Sequence, residues 1–403
     1  MAKQPYRYPF PPFPVGWFAV AYSDELPLGG VKPVDAFGRQ LVLFRGEDGV
    51  ARVFDALCPH LGAHLGHDGA VAGNGIVCPF HHWAFDGAGR CVDIPYSTRP
   101  IPRQARVRSW PVREVNQAIF VWYDPQQRPP FWELPVVPQA GAADWTRPHS
   151  IDRVARFHCQ EIRENGVDPA HFGTVHGFPV QTFEVEARGH VLRQTSRLTA
   201  QLGPEASDTA RLTVDYHGLG YAVAHQTIGE MEFLVLSHVT PIDEDTTLLR
   251  FTVSLRRIPS LRSLAALFSH LREAGGKQGL WGMARRFTEG ARAREIPGYL
   301  ARAAAGTSRG IAATRGRSLL GEIMTQLIAI PSTVDFGRQL DQDIYITENK
   351  AYLEQPLYRD GEHTIHAMRQ WARQFYPDAE PAQVTMGPQA APDPGPAEPA
   401  QVT

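Results

Sequence analysis

The stretch CPHLGAHLG, residues 58–66, is followed after eleven residues by CPFHHWAF, residues 78–85. Together they present Cys58, His60, Cys78 and His81 as Cys-x-His, seventeen residues, Cys-x-x-His. Thiolate and neutral imidazole are the donors that soft and borderline transition metals select, and two short loops can bring four of them to one point. Structural zinc usually pairs Cys with Cys and His with His at short spacing, whereas here each loop carries one of each.

That mixed order suits a [2Fe-2S] centre in which two cysteines hold one iron and two histidines the other, each loop delivering one ligand to each iron. Cys58 and Cys78 then take the first iron, His60 and His81 the second, with structural zinc as the alternative. The pair of loops resembles the Rieske signature, including Pro59, Gly62 and Pro79, which set tight turns. His64, His67 and His82 lie nearby. His82 adjoins His81, and neighbouring side chains of an extended segment point opposite ways, so both cannot reach one iron; all three are read as lying beside the metal or on the surface. Respiratory-chain Rieske proteins, as a family, carry an extra cysteine in each loop. Ala63 and Phe80 stand there in this sequence, which points to an oxygenase or a ferredoxin.

A chain of 403 residues is comfortable for two domains, each with its own core. A formal net charge of −2 and a sequence pI near 6.8 give no basic field for nucleic acid or anionic lipid. No run of eighteen apolar residues occurs, and the start MAKQPYRYPFPPFPVGWFAV lacks a signal-peptide pattern, so a cytoplasmic protein without a membrane span is expected. Cys91 and Cys159 have no disulfide-like spacing and are read as packed thiols.

QLVLFRGEDGVARVFDAL, residues 40–57, alternates around a Glu-Asp-Gly turn, and RVRSWPVREVNQAIFVWYD repeats the pattern around Asn-Gln, predicting an antiparallel β domain over 14–135. DPQQRPPFWELPVVPQAGAAD reads as the crossing to a second domain over 145–376. There LLRFTVSLRR places Leu249, Phe251, Val253 and Leu255 on one face and Arg250, Thr252, Ser254 and Arg256 on the other, a half-buried strand. Residues 260–325 are helical in pattern, with eight arginines between 285 and 317 read as a solvated face. From 377 to 403 the chain is rich in Pro and Ala, AEPAQVT occurs twice, and a disordered tail is expected.

EIRENGVDPAHFGTVHGFP, residues 161–179, carries Asp168, His171 and His176. On a straight helix, at about 100° per residue, the two histidines diverge too far to share a metal, so a bent or broken helix is needed. Pro169 and Gly173 offer one. Two histidines with a carboxylate make the facial triad that leaves iron(II) open positions. By itself this spacing is weak evidence; after a Rieske signature it resembles the Rieske non-heme iron oxygenases. That resemblance covers nearly all of 14–376, and GWFAVAYSDEL, DALCPHLGAHLGHDG, VDIPYS and ENKAYLEQP are nearest to the 3-ketosteroid 9α-hydroxylase and cholesterol 7-desaturase members.

The resemblance implies an α+β protein in which an antiparallel β Rieske domain precedes a helix-grip catalytic domain, START-like, of antiparallel sheet and helices. The iron ligands it implies are His171, His176 and Asp343, the last from the Asp-x-x-Ile-(x)3-Lys pattern ending at Lys350. Asp341, two residues away on the same face of what reads as an extended segment, is the runner-up, and Asp335 follows. Asp168 matches the aspartate that bridges the cluster histidine of one subunit to the iron histidine of the next, which implies a homotrimer; as a residue before Pro169 it also reads as a helix cap. No dinucleotide fingerprint is present, so NAD(P)H acts through a partner reductase, with or without a ferredoxin, and O2 is co-substrate. The expected reaction is hydroxylation, desaturation or oxidative cyclisation of a bulky apolar, steroid- or natural-product-like molecule. The alternative is an electron carrier or lipid-binding protein without catalytic iron.

Overall fold

The computed structural model describes residues 7–203, 206–258, 319–359 and 361–377. The segment 260–318 and the tail 378–403, read above as helical and disordered, lie outside the described residues.

The N-terminal domain is built from three antiparallel sheets. Strands β1 (Gly16–Tyr22), β10 (Ala118–Tyr123) and β9 (Val112–Val115) form one, and β2 (Val31–Ala36), β3 (Arg39–Arg45) and β4 (Ala51–Asp55) the second. The third, β5 (Ala70–Ala72), β6 (Gly75–Val77), β7 (Ala84–Phe85) and β8 (Cys91–Asp93), carries the two Cys/His loops at its edge. Both turns read from the sequence are present. Asn116 and Gln117 have φ of 53° and 65°, the pair of left-handed residues that a tight β9–β10 hairpin needs. The Asn116 side chain then works as a staple. Its Nδ2 donates to Pro135 O and to the Tyr221 hydroxyl, and its Oδ1 accepts from Val137 N, tying the crossing segment to both domains.

The second domain is one seven-stranded antiparallel sheet, in the order β11 (His149–Ala155), β17 (Thr247–Leu255), β16 (Met231–Pro241), β15 (Tyr221–Ile228), β14 (Ala206–His217), β13 (Val191–Gly203) and β12 (Val180–Arg188). Helices α1 (Cys159–Gly166), α2 (Pro169–Thr174), α3 (Leu319–Glu348) and α4 (His363–Ala372) pack on it. The strand LLRFTVSLRR keeps its expected faces, but it is buried on both: Thr252 and Ser254 are less than a tenth exposed. The reason is the neighbour on the back of the sheet. Trp17, Phe120 and Trp122 of the first domain, Trp132 and Leu134 of the crossing, and Tyr221, Val223, Leu234 and Leu236 of the sheet form one core.

Gly220 stands where the β14–β15 turn meets β1. A Cβ there would lie 2.1 Å from Trp17 O and 2.7 Å from the Phe18 ring. We expect Gly220→Ala to force the two domains apart locally and to cost about 2 kcal/mol or more by overpacking. A urea unfolding midpoint equal to that of the parent protein would show that this contact relaxes at no cost.

Candidate metal centres

The two Cys/His loops are built alike. Cys58 N donates to Ala63 O and Gly62 N to Cys58 O; Cys78 N donates to Trp83 O and His82 N to Cys78 O. Each turn closes on a left-handed residue, Gly62 at φ 76° and His82 at φ 56°. His81 and His82 therefore diverge because the chain turns there, not because it is extended. Cys58 and Cys78 are buried and unbridged. Burial pushes the Cys58 thiol up to about 11, and the adjacent Cys78 adds to the shift, so the pair calls for a metal cation if it is to ionise. The rings of His60 and His81 meet edge to face at 4.7 Å. His60 stacks on Trp83 at 4.7 Å, and Trp83 Nε1 donates to the Tyr96 hydroxyl, which fixes the ring plane. The donor set fits a cluster of mixed Cys/His ligation. His64 instead accepts from Gly66 N through Nδ1, and burial lowers its pKa, as expected of a neutral turn residue.

The second centre assembles on the sheet. Helix α2 starts at Pro169 and ends at Thr174, so His171 lies on it and His176 beyond it, in a turn that Gly177 closes at φ 74°. Asp343 reaches them from α3. The three ligand atoms of His171, His176 and Asp343 lie within 4.8 Å of one another, with His176 Nε2 3.1 Å from Asp343 Oδ1. His171 Nδ1 is 2.6 Å from the Asp168 carbonyl oxygen, to which it donates; its Nε2 lone pair is left for a metal. Burial lowers the His171 pKa, which keeps the imidazole neutral. His176 Nδ1 is buried without a partner among the described residues.

Two expectations change here. The segment holding Asp341 and Asp343 is helical, not extended, so residues two apart face about 200° apart. Asp341 turns away and forks onto Arg153, Nε–Oδ1 2.7 Å. Asp335 lines the cavity below but bonds Arg338 and Gln339. The bond to the His171 ring comes from the Asp168 carbonyl; its carboxylate caps α2, accepting from Ala170 N at 2.9 Å and His171 N at 3.4 Å.

Between the sheet and α3 lies a cavity of about 320 Å³, with the three residues on its wall. Ser332, Asp335, Phe336, Gln339, Leu340 and Asp343, one face of α3, close it opposite the sheet. The sheet contributes Phe233, Val235, Phe251 and Leu212. Sequence reading missed α1, where Glu161, Arg163 and Glu164 are all buried. Glu161 meets Lys350 Nζ at 2.6 Å, and Glu164 takes Arg369 Nη2 at 2.7 Å. Arg163 lines the cavity, and burial lowers its pKa to about 10, leaving it a cation at neutral pH. Charged residues in helices are usually solvated, so nothing in their spacing marks these three.

Residues 16–111 match the Rieske [2Fe-2S] domain family, and residues 121–276 and 313–376 the 3-ketosteroid 9alpha-hydroxylase C-terminal domain family. The cholesterol 7-desaturase of Bombyx mori is 31% identical over 379 residues, 91% of this chain and 70% of that protein. A probable 3-ketosteroid-9-alpha-monooxygenase oxygenase component of Rhodococcus rhodochrous is 31% identical over 383 residues, 91% and 80% of the two chains. A cholesterol 7-desaturase of Ciona intestinalis is 43% identical over 166 residues, 41% of this chain and 35% of that protein. The fold is shared with dicamba monooxygenase (TM-score 0.55, 16% identity, 90% of this chain and 96% of that one) and with Pseudomonas putida NdmA bound to caffeine (TM-score 0.60, 16% identity, 89% of each). The chain belongs to the 3-ketosteroid 9α-hydroxylase family of Rieske oxygenases. It is an oxidoreductase of the Rieske oxygenase class with a [2Fe-2S] domain, and His171, His176 and Asp343 are the two-histidine, one-carboxylate donor set that suits a mononuclear iron.

Asp343→Ala should empty the mononuclear site and spare the cluster, whereas Asp341→Ala should keep both metals while losing the partly exposed pair with Arg153, worth about 0–1 kcal/mol. Metal analysis and the visible absorbance of the two variants read this directly. Retained mononuclear iron in Asp343→Ala would move the third ligand elsewhere.

Proposed function

We propose that this chain is the cytoplasmic oxygenase component that hydroxylates or desaturates a bulky apolar, steroid-like molecule held between the sheet and α3, with electrons from an NAD(P)H-dependent reductase. One observation carries the reading: His171, His176 and Asp343 converge on the wall of a largely apolar cavity enclosed by sheet and helix. Its volume falls in the range of small-molecule sites. The steroid class rests on the names of the relatives. Among the described residues no helix is long and apolar enough to cross a membrane.

Cys58, His60, Cys78 and His81 would hold the cluster, and His171, His176 and Asp343 the iron, which when bound supplies the electron-transfer and O2 chemistry. The chain's own residues prepare that chemistry. Asp168 fixes the tautomer of His171 by accepting from Nδ1, and its carboxylate holds the α2 N-terminus, so the ring cannot turn away. Phe172 packs its ring against His171, and Phe233 and Phe251 line the cavity further along the sheet, which leaves room for an apolar body. The ion pairs of Glu161 with Lys350 and Glu164 with Arg369 hold α1 to the segments after α3, so the two halves of the triad keep their spacing.

A homotrimer fits the surface of the single chain. Around His60 and His81, Leu61, Phe80 and Tyr96 are 65%, 59% and 60% exposed. Near the end of α3, Tyr345, Ile346, Leu353 and Leu357 are exposed as well. Two such apolar rims, one at each centre, are what a head-to-tail ring covers. In that ring Asp168 lies between the cluster of one subunit and the iron of the next.

Purified enzyme should contain about three irons per chain; about two would leave an electron carrier. Asn caps a helix as well as Asp and keeps the carbonyl bond to His171, so Asp168→Asn should keep fold and metals, while loss of the carboxylate from the bridge between subunits should lower turnover by orders of magnitude. Loss of the mononuclear iron in that variant would make Asp168 a ligand instead of a bridge.

A further inference from the structure

Arg163 is a buried cation on the cavity wall without a carboxylate partner among the described residues. Its Nε donates to Leu219 O at 3.0 Å, Nη1 to Ser237 Oγ at 2.8 Å and Nη2 to Ser237 O at 3.4 Å. A guanidinium has five N–H groups, so two remain. The acids nearest in sequence, Glu161 and Glu164, are engaged by Lys350 and Arg369. Tyr216 adds its ring face, 5.7 Å from the guanidinium carbon, while its hydroxyl points to Gln194 Oε1 and Gln194 Nε2 to Ser196 Oγ. The hydroxyl and amide groups of Tyr216 and Gln194 are thus turned on each other and on Ser196, while Asn165 also lines this part of the cavity. A buried charge left in this state is costly, and the group that offsets it best is an oxygen that accepts without donating.

The corner and the histidines are two places on one cavity wall. Tyr216, Ala222 and Ser237 are cross-strand neighbours on one rung. Phe172, whose ring is 4.2 Å from that of His171, packs with Phe178 on Leu198 and Ala210, which pair on another rung. Ala210 and Tyr216 are six positions apart on β14, roughly 20 Å of extended chain, so the sheet wall of the cavity is long. A molecule held at Arg163 can extend from there along the sheet toward Phe172, Leu198 and Ala210, with the histidines on the same wall. Gly166, beside Arg163, is held to glycine by the same corner: a Cβ would lie 2.4 Å from the Tyr216 hydroxyl.

We propose that Arg163 is the specificity-determining residue of this cavity, receiving an acceptor-only oxygen group of the substrate, a carboxylate before a ketone. The substrate is then an amphiphile with an apolar body and one anchored end. A hydroxyl serves less well, because it brings a donor of its own into a corner with few acceptors. This assignment rests on the oxygenase reading for the word substrate, but its binding test does not.

Equilibrium dialysis of the metal-loaded enzyme, without reductant, against steroids identical except for one terminal group, acid, ketone, alcohol or hydrogen, measures the anchor; the same four ends on a long alkyl chain cover the linear alternative. The acid and the ketone should bind about 10–100-fold more tightly than the hydrocarbon, the range expected of hydrogen bonds to a charged group. Arg163→Met should flatten the series, and Arg163→Lys should retain part of the preference for the acid. A general loosening of the fold would weaken all four ligands and leave their ranking, so the ranking is the readout. If Arg163→Met does not fold, the wild-type series decides alone. A flat wild-type series, an Arg163→Met series that keeps its ranking, or no binding on either skeleton overturns the proposal. Turnover with reductase, NADH and O2 is scored separately: turnover with a flat series sinks only the role of Arg163, and a ranked series with no turnover of any member sinks only the oxygenase reading.

Discussion

His176 Nε2 and Asp343 Oδ1 lie 3.1 Å apart although their residues are 167 positions apart in the chain (343 − 176). Bringing them together is the constraint on which the catalytic domain turns. A helix that carries Asp343 must be pressed onto a sheet near a second helix that carries His171 and the turn after it that carries His176, yet not so closely that the space between them fills. The fold meets this with clamps at the flanks. Arg153 of β11 takes Asp341, Lys350 takes Glu161, and Thr325 Oγ1 accepts from Ile258 N near the start of α3. Each lies outside the cavity, so α3 is fixed at its edges and the middle is left open.

The sheet carries this arrangement by serving different neighbours on its two faces. On β16, Phe233, Val235 and Ser237 face the cavity, while Leu234 and Leu236 join the core shared with Trp17 and Phe120. A slip of one residue in the β15–β16 register would exchange the faces, exposing cavity residues to the Rieske domain. The back-face packing therefore sets more than the attachment of the first domain. It fixes which side chains line the cavity, and with them the wall on which the histidines stand.

The Rieske loops were legible because ligation demands residue types at a spacing that local turns dictate. The need for a broken helix between His171 and His176 was equally legible, since the angle per residue is fixed by backbone geometry. Asp343 was placed on an extended segment because Ile344, Tyr345 and Ile346 look like a strand over so few residues. The helical face appears only when Ser332, Phe336, Gln339 and Leu340 are read with it, and most of that face touches a cavity, where apolar periodicity is blurred by polar lining residues. Likewise the alternation in β17 correctly gives two faces but cannot say that a second domain covers the polar one.

Least legible was the charge on α1. Within one helix of eight residues, Gln160, Glu161, Arg163 and Glu164 are all buried, a composition that by itself describes a surface helix. The three charges are sorted by angle. Glu161 and Glu164 are three apart and face the chain beyond α3 and α4, where Lys350 and Arg369 wait; Arg163 falls between them in sequence and points across to the sheet. Two acids held by distant cations keep the helix in place without neutralising the arginine between them. The same helix that leads through Val167 and Asp168 to His171 and His176 therefore also delivers a cation to the cavity, so the placement of the histidines and the polarity of the cavity are set by one short segment, with the acids that secure it oriented away from its own arginine.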